Sequence, residues 1–483
     1  MSKKITIEPI TRVEGHGKVT IKINDVGQVL DSRLHIVEFR GFERFIQGRP
    51  YWEAPVLVQR LCGICPVSHH LAAAKALDVI VGAGTGDGLT AVGEKMRRLM
   101  HVGQFFQSHV LHFFHLSSPD FLFGINADPA LRNVIGVIDH HKDLAVQGVM
   151  MRKYGQEIIS HTAGKKIHGT GAIPGGINKN LSKEERDLLL KGADPLNADK
   201  MVEWSVAALE FFKAYHKTNK DLVDTFAEFP SNHLSLVRKD GALDIYNGVL
   251  RAVDTNGNRI LDDVDCQDYD KYIEEEVRNW SYMKFPYLKH LGKEEGWYRV
   301  GPLARMNVVD FIPTPLAQKE FEEFKAYTHG KPNNKSLHYH WARLIEVLYA
   351  AEEIRNLLKD PDLQNDDLVI KGKKVNKGVG VIEAPRGTLF HHYEINDNDQ
   401  ITLANLIVST TNNNEPMNQA VNHTAKSTMN NQMEITEGMM NAVEVAIRAY
   451  DPCLSCATHA LGKMPLEMTL VNENDEVINT KIK

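Results

Sequence analysis

The sequence predicts one large α+β domain that is mostly helical, a bundle of long helices with small peripheral sheets. Apolar residues recur at helical spacing over long stretches, whereas the alternation typical of strands is confined to short ones. The chain shows no internal repeat, no low-complexity linker and no composition shift at a domain boundary. Its 483 residues could form about two to four domains by length alone, but we expect a single intertwined unit over residues 1–459.

Composition excludes several classes of protein. The apolar fraction of 43% supports a sizeable core, and the net charge of −6, without long charged blocks, argues against a nucleic-acid partner or a polybasic membrane contact. Five cysteines, an odd number, do not form a disulfide framework, so we expect a reducing compartment. The first residues lack the apolar segment of a signal peptide, and no apolar run approaches the ~18 residues of a membrane span. We therefore expect a cytoplasmic location without a membrane span.

The first part of the chain should form strands and then helix. Alternation over residues 3–40 predicts strands, which glycine-flanked charged residues interrupt at 10–17. Residues 51–80 read as helical through a first C-x-x-C. The glycines of residues 82–88 do not form a dinucleotide motif, because Asp87 stands where the third glycine belongs and a helix precedes them. We expect a loop there.

Further along, helical patterns alternate with short strands. A capping box at Ser182–Glu185 should begin a helix, and Asn256-Gly257 predicts a hairpin turn within residues 240–270. Residues 378–387 and 404–409 resemble strands. Histidines crowd the first long helix, but their spacing turns around it, so we expect them in the core and not on a shared metal. Long helices are expected at residues 92–116, 131–168, 199–228, 316–358 and 431–450.

Four of the five cysteines form two C-x-x-C pairs, Cys62 with Cys65 and Cys453 with Cys456, and a histidine follows each pair within four residues. Two such turns can supply four thiolates to one soft metal centre. A structural zinc site is the simplest alternative. Zinc ribbons, however, place their knuckles about 15–20 residues apart, whereas 387 residues separate Cys65 from Cys453. This separation favours a reactive centre buried in the middle of the protein.

Beyond the cysteines, several motifs carry a resemblance to a known family. In chain order they are Arg12-Val13-Glu14-Gly15-His16, Arg40-Gly41-Phe42-Glu43, Arg60-x-Cys62-Gly63-x-Cys65-x-x-x-His69, Ala384-Pro385-Arg386-Gly387 and Asp451-Pro452-Cys453-x-x-Cys456-x-x-His459. Together they resemble the large, catalytic subunit of nickel–iron hydrogenases, in the same order and across essentially the whole chain. Residues 37–43, 280–286, 299–307 and 451–460 are similar to the soluble bidirectional NAD-reducing branch. The resemblance implies that family's large-subunit fold.

The resemblance also implies a metal centre and a reaction. All four cysteines would bind nickel, and Cys65 and Cys456 would also bridge to an iron that carries carbon monoxide and two cyanides. The expected activity is reversible, heterolytic cleavage of H2 into protons and electrons. Glu14, next to Cys453, would be the first carboxylate of the proton path.

Further residues take roles by the same resemblance. Arg386 would hold its guanidinium over the metals, Pro385 would line the cofactor site, and the Ser409 hydroxyl would bond a cyanide. Glu43 and His459, with a backbone carbonyl near Asn405, would bind magnesium, although histidine is an unusual ligand for that ion. One departure concerns Ser108, which stands where many membrane-linked members have an aspartate over the active site.

The resemblance implies processing and partners. Residues 460–483 would be a propeptide that a maturation endopeptidase removes after chaperones insert nickel. The chain has no cysteine set for iron–sulfur clusters, so electrons must leave through an iron–sulfur small subunit, and then through a diaphorase module with flavin and NAD. Alternatives are a hydrogen sensor, against which the tail counts, and coupling to ferredoxin, a heterodisulfide system or a deazaflavin. A thiolate-free relative from respiratory complex I is excluded by the four cysteines, and a zinc-scaffolded interaction protein is the remotest possibility.

Overall fold

Long helices occupy the centre of the fold, and small sheets lie around them. The computed structural model describes residues 3–8, 10–38, 41–83, 88–431, 436–458, 467–471 and 477–482. The α-helices are α1 (Phe42–Phe45), α2 (Ala54–Leu57), α3 (Pro66–Ile80), α4 (Ala91–Leu111), α5 (Ser118–Phe123), α6 (Val134–His140), α7 (Lys142–Ala163), α8 (Lys183–Lys191), α9 (Ala198–Thr218), α10 (Lys220–Thr225), α11 (Tyr269–Tyr272), α12 (Gly292–Glu295), α13 (Pro302–Val308), α14 (Pro315–Tyr327), α15 (His338–Lys359), α16 (Ser409–Asn412), α17 (Asn414–Met429) and α18 (Glu437–Arg448).

The strands form six small sheets among the described residues. They are β1 (Lys3–Ile7), β2 (Gly17–Ile23), β3 (Val29–Ile36), β4 (Ala172–Ile173), β5 (Gly176–Ile177), β6 (Asn232–Val237), β7 (Val249–Val253), β8 (Arg259–Val264), β9 (Ile273–Glu276), β10 (Phe285–Leu288), β11 (Tyr298–Arg299), β12 (Lys377–Ala384), β13 (Gly387–Ile395), β14 (Ile401–Ile407), β15 (Glu467–Val471) and β16 (Val477–Ile482). The larger sheets have the orders β1-β2-β3, β11-β6-β7-β8 and β12-β13-β14, and the strand pairs are β10-β9, β4-β5 and β15-β16.

The core is built around α3, α4 and α15. Helix α4 packs between α7 and α15, and α3 packs against the hairpin of β12 and β13. The alanines of α3 allow a close approach. A Cβ at Gly380 of β12 would lie 2.1 Å from the carbonyl oxygen of Ala72. One apolar cluster extends from Ile7 to Ala457, so residues from both ends of the chain share a single core.

The predicted class, α+β and mostly helical, is confirmed, and the capping box at Ser182 and Glu185 is present. Most long predicted helices are interrupted in the structure. The helix expected at 131–168 is two helices that meet at His141, and the one expected at 316–358 ends at Tyr327 and resumes at His338. Pro332, which has no backbone donor, lies in that interruption.

Two further differences lie close to the centre of the molecule. Helix α4 ends at Leu111 and continues as a π-helical segment, His112–Ser117, so its last turn is wider than predicted. The strand expected at 404–409 is β14, which ends at Ile407, and Ser409 begins α16. In the described part of the chain, no helix combines the length and apolar character needed to cross a membrane.

Candidate metal centre

Both C-x-x-C pairs meet at one buried point. The four cysteine sulfurs lie within 4.8 Å of one another. The Sγ of Cys453 is 3.3 Å from that of Cys62 and 2.6 Å from that of Cys456. All four side chains are buried, and none forms a disulfide. The arrangement that the spacing predicted is therefore present, with two sulfurs from each end of the chain.

Local structure orients the first pair, Cys62 and Cys65. Cys62 follows the 3-10 turn Val58–Leu61, and Cys65 is the N-cap of α3, with Pro66 in the first turn. The backbone amides of Ile64 and Cys65 both donate to the sulfur of Cys62 at 3.2 Å. Amide donors and the N-terminus of a helix stabilise negative charge, so this turn favours thiolates.

The thiols affect one another's protonation. Hydrogen bonds from Cys453, Cys456 and Cys62 lower the pKa of Cys65, whereas burial raises the pKa of Cys453 and of Cys456. Several buried thiolates in contact repel one another, and a bound cation makes that state favourable. Four soft sulfur donors suit nickel, iron or zinc. The residues present therefore fit a thiolate-bound metal centre.

Glu14 lies directly beside this centre. Its Oε2 is 2.9 Å from the Sγ of Cys453 and accepts a bond of 3.2 Å from the Ser455 amide, while the Ser455 hydroxyl donates to Oε1. The amide of Leu454 donates to the carbonyl of Glu14 at 2.9 Å, so the two chain segments are joined through their backbones. A carboxylate in contact with a thiol can accept its proton.

Gly15 makes this junction possible. Its φ of +84° is in the left-handed region, and a Cβ at this position would lie 2.7 Å from the Ser455 nitrogen. Nearby, Arg448 of α18 donates to the carbonyl of Thr11 at 2.8 Å, and Glu444 accepts from the Thr11 amide at 2.9 Å. Both contacts hold the N-terminal segment against the helix that leads into the second cysteine pair.

Arg386 lies at the turn between β12 and β13, where it bonds Asp451. Its Nε donates to the Asp451 carbonyl at 2.6 Å and its Nη2 to Oδ1 at 3.1 Å. Burial raises the pKa of Asp451 to about 6, and the charge of Arg386 opposes that shift. The Nη1 of Arg386 is buried and finds no partner among the described residues. It is thus a donor that a ligand in the site could use.

A small cavity lies beside these residues. Cys65 and Cys453 line it together with Pro385, Arg386 and Ser409. Ser409 donates its hydroxyl to the Gly387 carbonyl at 2.7 Å. The two predicted cofactor-contacting residues, Pro385 and Ser409, therefore line one cavity together with two predicted ligands, and their roles stay predictions.

The predicted magnesium ligands are only partly within the described structure. Glu43 accepts a hydrogen bond of 2.8 Å from the amide of Leu406, next to Asn405. The side chain of Asn405 donates to the hydroxyl of Tyr269 at 3.0 Å. His459 lies outside the described residues. Glu43 and the backbone at Asn405 are thus neighbours, and the metal site itself stays a prediction.

Some residues of the site were not assigned from sequence. Asp451 carries no role by itself in the sequence motif, although it directly precedes Pro452 and Cys453. Arg305 of α13 bonds the carboxylates of Glu346 and Glu383 and also donates to the carbonyls of Ala384 and Pro385. It therefore holds the segment that leads to Arg386. The one sequence feature that pointed to Arg305 was its position within residues 299–307, a stretch similar to the NAD-reducing branch.

A second cluster, His216, Asp224 and His338, is also close enough to hold a metal. Both histidines contact Asp224 Oδ1, at 3.0 and 3.1 Å. Asn333 receives the Lys335 amide on its Oδ1, so its Nδ2 donates to His338 Nδ1 at 2.8 Å.

That arrangement leaves the His338 proton on Nε2, where a metal would need a lone pair. Lys220 donates to the other carboxylate oxygen of Asp224 at 2.6 Å. The cluster is therefore a hydrogen-bonded junction between helices α9, α10 and α15.

Family models and known proteins match this chain over most of its length. A family model described as nickel-dependent hydrogenase matches residues 40–135 and 219–459, and one described as HoxL-like matches residues 4–39. The NAD-reducing hydrogenase HoxS subunit beta of Cupriavidus necator is 51% identical over 100% of both chains. An F420-non-reducing hydrogenase subunit of Methanothermobacter thermautotrophicus is 44% identical over 97% of both.

Solved structures show the same relationship. An NAD+-reducing NiFe hydrogenase, crystallised in the H2-reduced state, matches with a TM-score of 0.91 and 54% identity, over 95% of this chain and 99% of that one. The NiFeSe hydrogenase of Desulfovibrio vulgaris Hildenborough matches with a TM-score of 0.73 and 23% identity, over 95% of this chain and 100% of its own. At that identity, the second match shows a shared fold alone.

Proposed function

The chain belongs to the nickel-dependent hydrogenase family, and we propose that it is the catalytic subunit of a cytoplasmic NAD-reducing nickel–iron hydrogenase. The family is the one that the sequence motifs indicated. The observation that carries the proposal is the meeting of four buried cysteine sulfurs with Glu14 at 2.9 Å from one of them. A plain zinc scaffold would have no need of a carboxylate in contact with a ligand thiol.

The four thiolates would hold nickel, with Cys65 and Cys456 shared with an iron that carries one carbon monoxide and two cyanides. Bound there, such a centre supplies heterolytic cleavage of H2 into protons and electrons. Cys453 and Glu14 then transfer a proton away from the centre, because the carboxylate is already within hydrogen-bond reach of the sulfur. Burial of all four cysteines excludes bulk water from this step.

Arg386 would position and polarise the ligands of the cavity. Its Nε and Nη2 are fixed by Asp451, which leaves the buried Nη1 as a rigid donor. Pro385 and Ser409 would line the same cavity. At a separate site, Glu43, His459 and the carbonyl of Asn405 would bind magnesium.

The names of the relatives support NAD as the electron acceptor. The C. necator protein, whose name says that it reduces NAD, is 51% identical over its full length, and the NAD+-reducing structure matches with a TM-score of 0.91. An iron–sulfur small subunit and a diaphorase module with flavin would therefore carry electrons to NAD. The M. thermautotrophicus relative, at 44% identity, is named for not reducing F420. That name favours NAD over a deazaflavin.

Maturation is part of the proposal. Residues 460–483 would be removed by an endopeptidase after nickel insertion by dedicated chaperones. Strands β15 and β16 of this segment pair antiparallel, so the segment has structure of its own before removal. A sensor role is the second candidate, and this tail counts against it.

One spectrum tests the centre. An infrared spectrum of the purified complex should show bands of one carbon monoxide and two cyanides. Absence of these bands together with stoichiometric zinc would refute the proposal. Reduction of NAD+ by H2, measured on the same complex beside ferredoxin and F420, identifies the acceptor.

A further inference from the structure

Arg12 lies in the loop that carries Glu14, and its backbone conformation is strained. Its φ of +53° is in the left-handed region, which residues with a Cβ rarely adopt. Strain of this kind persists where the surrounding contacts over-determine it, and it clusters at functional sites. Residues 11–16 are half-buried or exposed, so apolar burial alone does not fix the loop. The contacts that do are polar, and Arg12 makes two of them.

Both contacts of Arg12 reach the helical core. Its Nη1 donates to the carbonyl of Leu116 at 2.7 Å, and its Nη2 donates to the carboxylate of Asp120. Leu116 lies in the π-helical segment His112–Ser117, a local geometry that is frequent at functional sites. Asp120 is a buried residue of α5, which follows directly. The first motif is thus fastened to buried helix more than 100 positions further along the chain.

Asp120 also joins this loop to the helix that precedes the second cysteine pair. Arg448 of α18 donates to its Oδ2 at 2.7 Å, and Arg132 donates to its Oδ1 at 2.9 Å. The same Arg448 donates to the carbonyl of Thr11 at 2.8 Å. Burial acts to raise the pKa of Asp120, but the charges of Arg448 and Arg12 outweigh that effect and lower it, so the carboxylate stays ionised. One buried anion therefore fixes the loop and α18 relative to each other.

The distance from Glu14 to Cys453 depends on this arrangement. Helix α18 ends at Arg448, five residues before Cys453, and Arg12 stands two residues before Glu14. The carboxylate reaches the sulfur at 2.9 Å only while both segments keep their positions. A misplacement of a reacting group by ~1 Å can lower a rate by about 10²-fold, so small movements of the loop matter.

We propose that Arg12 and Asp120 are positioning residues that hold the Glu14 carboxylate against the Cys453 sulfur, through an ion pair between the first motif and α5. The inference rests on the proposed function, in which Glu14 accepts the proton of Cys453. Both residues act through Glu14. Their loss should therefore slow the exit of protons and leave the cleavage of H2 at the centre largely intact.

The test removes the ion pair from one side. Arg12→Gln keeps a polar side chain but ends the pair, while Asp120 stays bonded to Arg132 and Arg448. We expect parent-like carbon monoxide and cyanide bands, hydrogen–deuterium exchange with solvent lowered by about 10-fold or more, and a smaller loss of para- to ortho-hydrogen conversion. Arg12→Lys, which can keep one of the two contacts, should recover part of the exchange. Asp120→Asn should repeat the loss from the other side, and Arg12→Gln decides the case where Asp120→Asn does not fold.

A double variant separates positioning from general damage. Arg12→Gln combined with Glu14→Gln should exchange as slowly as Glu14→Gln alone, because the ion pair has no further effect once the carboxylate it holds is gone. Arg33→Gln is the matched control, since Arg33 forms an exposed ion pair with Asp31 on β3 of the N-terminal sheet. Its exchange and its infrared bands should equal those of the parent.

Three results would overturn the proposal alone. The first is parent-like exchange in Arg12→Gln. The second is an equal loss of exchange and of conversion, in proportion to weaker infrared bands, because it would show a merely structural role. The third is a double variant that exchanges more slowly than Glu14→Gln, since Arg12 would then act independently of Glu14. A parent without carbon monoxide and cyanide bands would instead refute the proposed function, and this inference with it.

Discussion

The Oε2 of Glu14 lies 2.9 Å from the Sγ of Cys453, a residue 439 positions further along the chain. Because a carboxylate at this distance can take the thiol's proton, we predict that Glu14→Gln lowers hydrogen–deuterium exchange with solvent by about 10²-fold or more. Conversion of para- to ortho-hydrogen should fall less, since it needs no long-range proton exit.

Both exchange reactions are measured on one preparation whose infrared bands match the parent. Glu8→Gln is the control, because Glu8 is an exposed glutamate of the same segment whose ion pair among the described residues is with Lys18. Unchanged exchange in Glu14→Gln would remove Glu14 from the proton path.

The proposed bridging role of Cys65 and Cys456 predicts loss of both metals together. Cys65→Ser or Cys456→Ser should prevent assembly of the two-metal centre, because each thiolate would join both metals. Metal analysis of the purified variants is the measurement. Cys266→Ser is the control, since Cys266 lies apart from the four-sulfur group. Full nickel and iron in either test variant would contradict the bridging assignment.

Arg386→Lys should keep both metals and lower hydrogen oxidation by about 10²-fold or more, the scale seen when one preorganised donor is lost. Lysine retains the charge but has a single nitrogen. It therefore cannot form both bonds that Arg386 makes to Asp451 and also present a fixed donor to the cavity. Arg238→Lys, at an exposed bidentate pair with Asp240, is the control. Activity within a few-fold of the parent would show that Arg386 has only a structural role in the turn between β12 and β13.

A stop codon after residue 459 tests the propeptide. If the tail keeps the chain open to the nickel-insertion machinery, the truncated chain should contain little nickel, whereas the active parent should have the mass of a chain that ends at residue 459. Nickel analysis and mass spectrometry measure the two quantities. An active parent that still ends at Lys483 would contradict the prediction.

Asp224 predicts a pH-dependent stability. Burial acts to raise its pKa, but hydrogen bonds from Lys220 and Tyr327 outweigh it and lower the pKa below the ordinary value. A carboxylate whose pKa is lower in the folded state stabilises the fold above its unfolded pKa of about 4 and loses that effect as pH falls further. Asp224→Asn should therefore cost about 1–3 kcal/mol near pH 7.

The difference from the parent should shrink below pH ~4, where the unfolded-state carboxyl is itself protonated. Thermal unfolding at matched scan rates over that range measures it. Asp221→Asn, an exposed acid on the same helix, should show little change at any pH. A constant difference across the range would mean that the effect of Asp224→Asn does not come from ionisation.

The sequence predicted the class of the fold and the cysteine set because both depend on local pattern. Helical spacing is a property of neighbouring residues, and a C-x-x-C turn carries its chemistry wherever it lies. The interruption at His141 and the wide turn at His112–Ser117 depend on packing, which no spacing reports. Likewise, Asp224 joins histidines from two other helices, and the contact of His69 with His391 becomes visible only when β13 packs on α3.

The junction of Glu14 with Cys453 has a consequence for biosynthesis. Two of the four sulfurs and the helix that supports them are translated long after the segment that receives them, since Cys453 follows Glu14 by 439 positions. A chain released early therefore cannot present four thiolates, however well its first half folds. Complete metal binding thus reports that synthesis passed Cys456, and the centre itself distinguishes such chains from those aborted earlier.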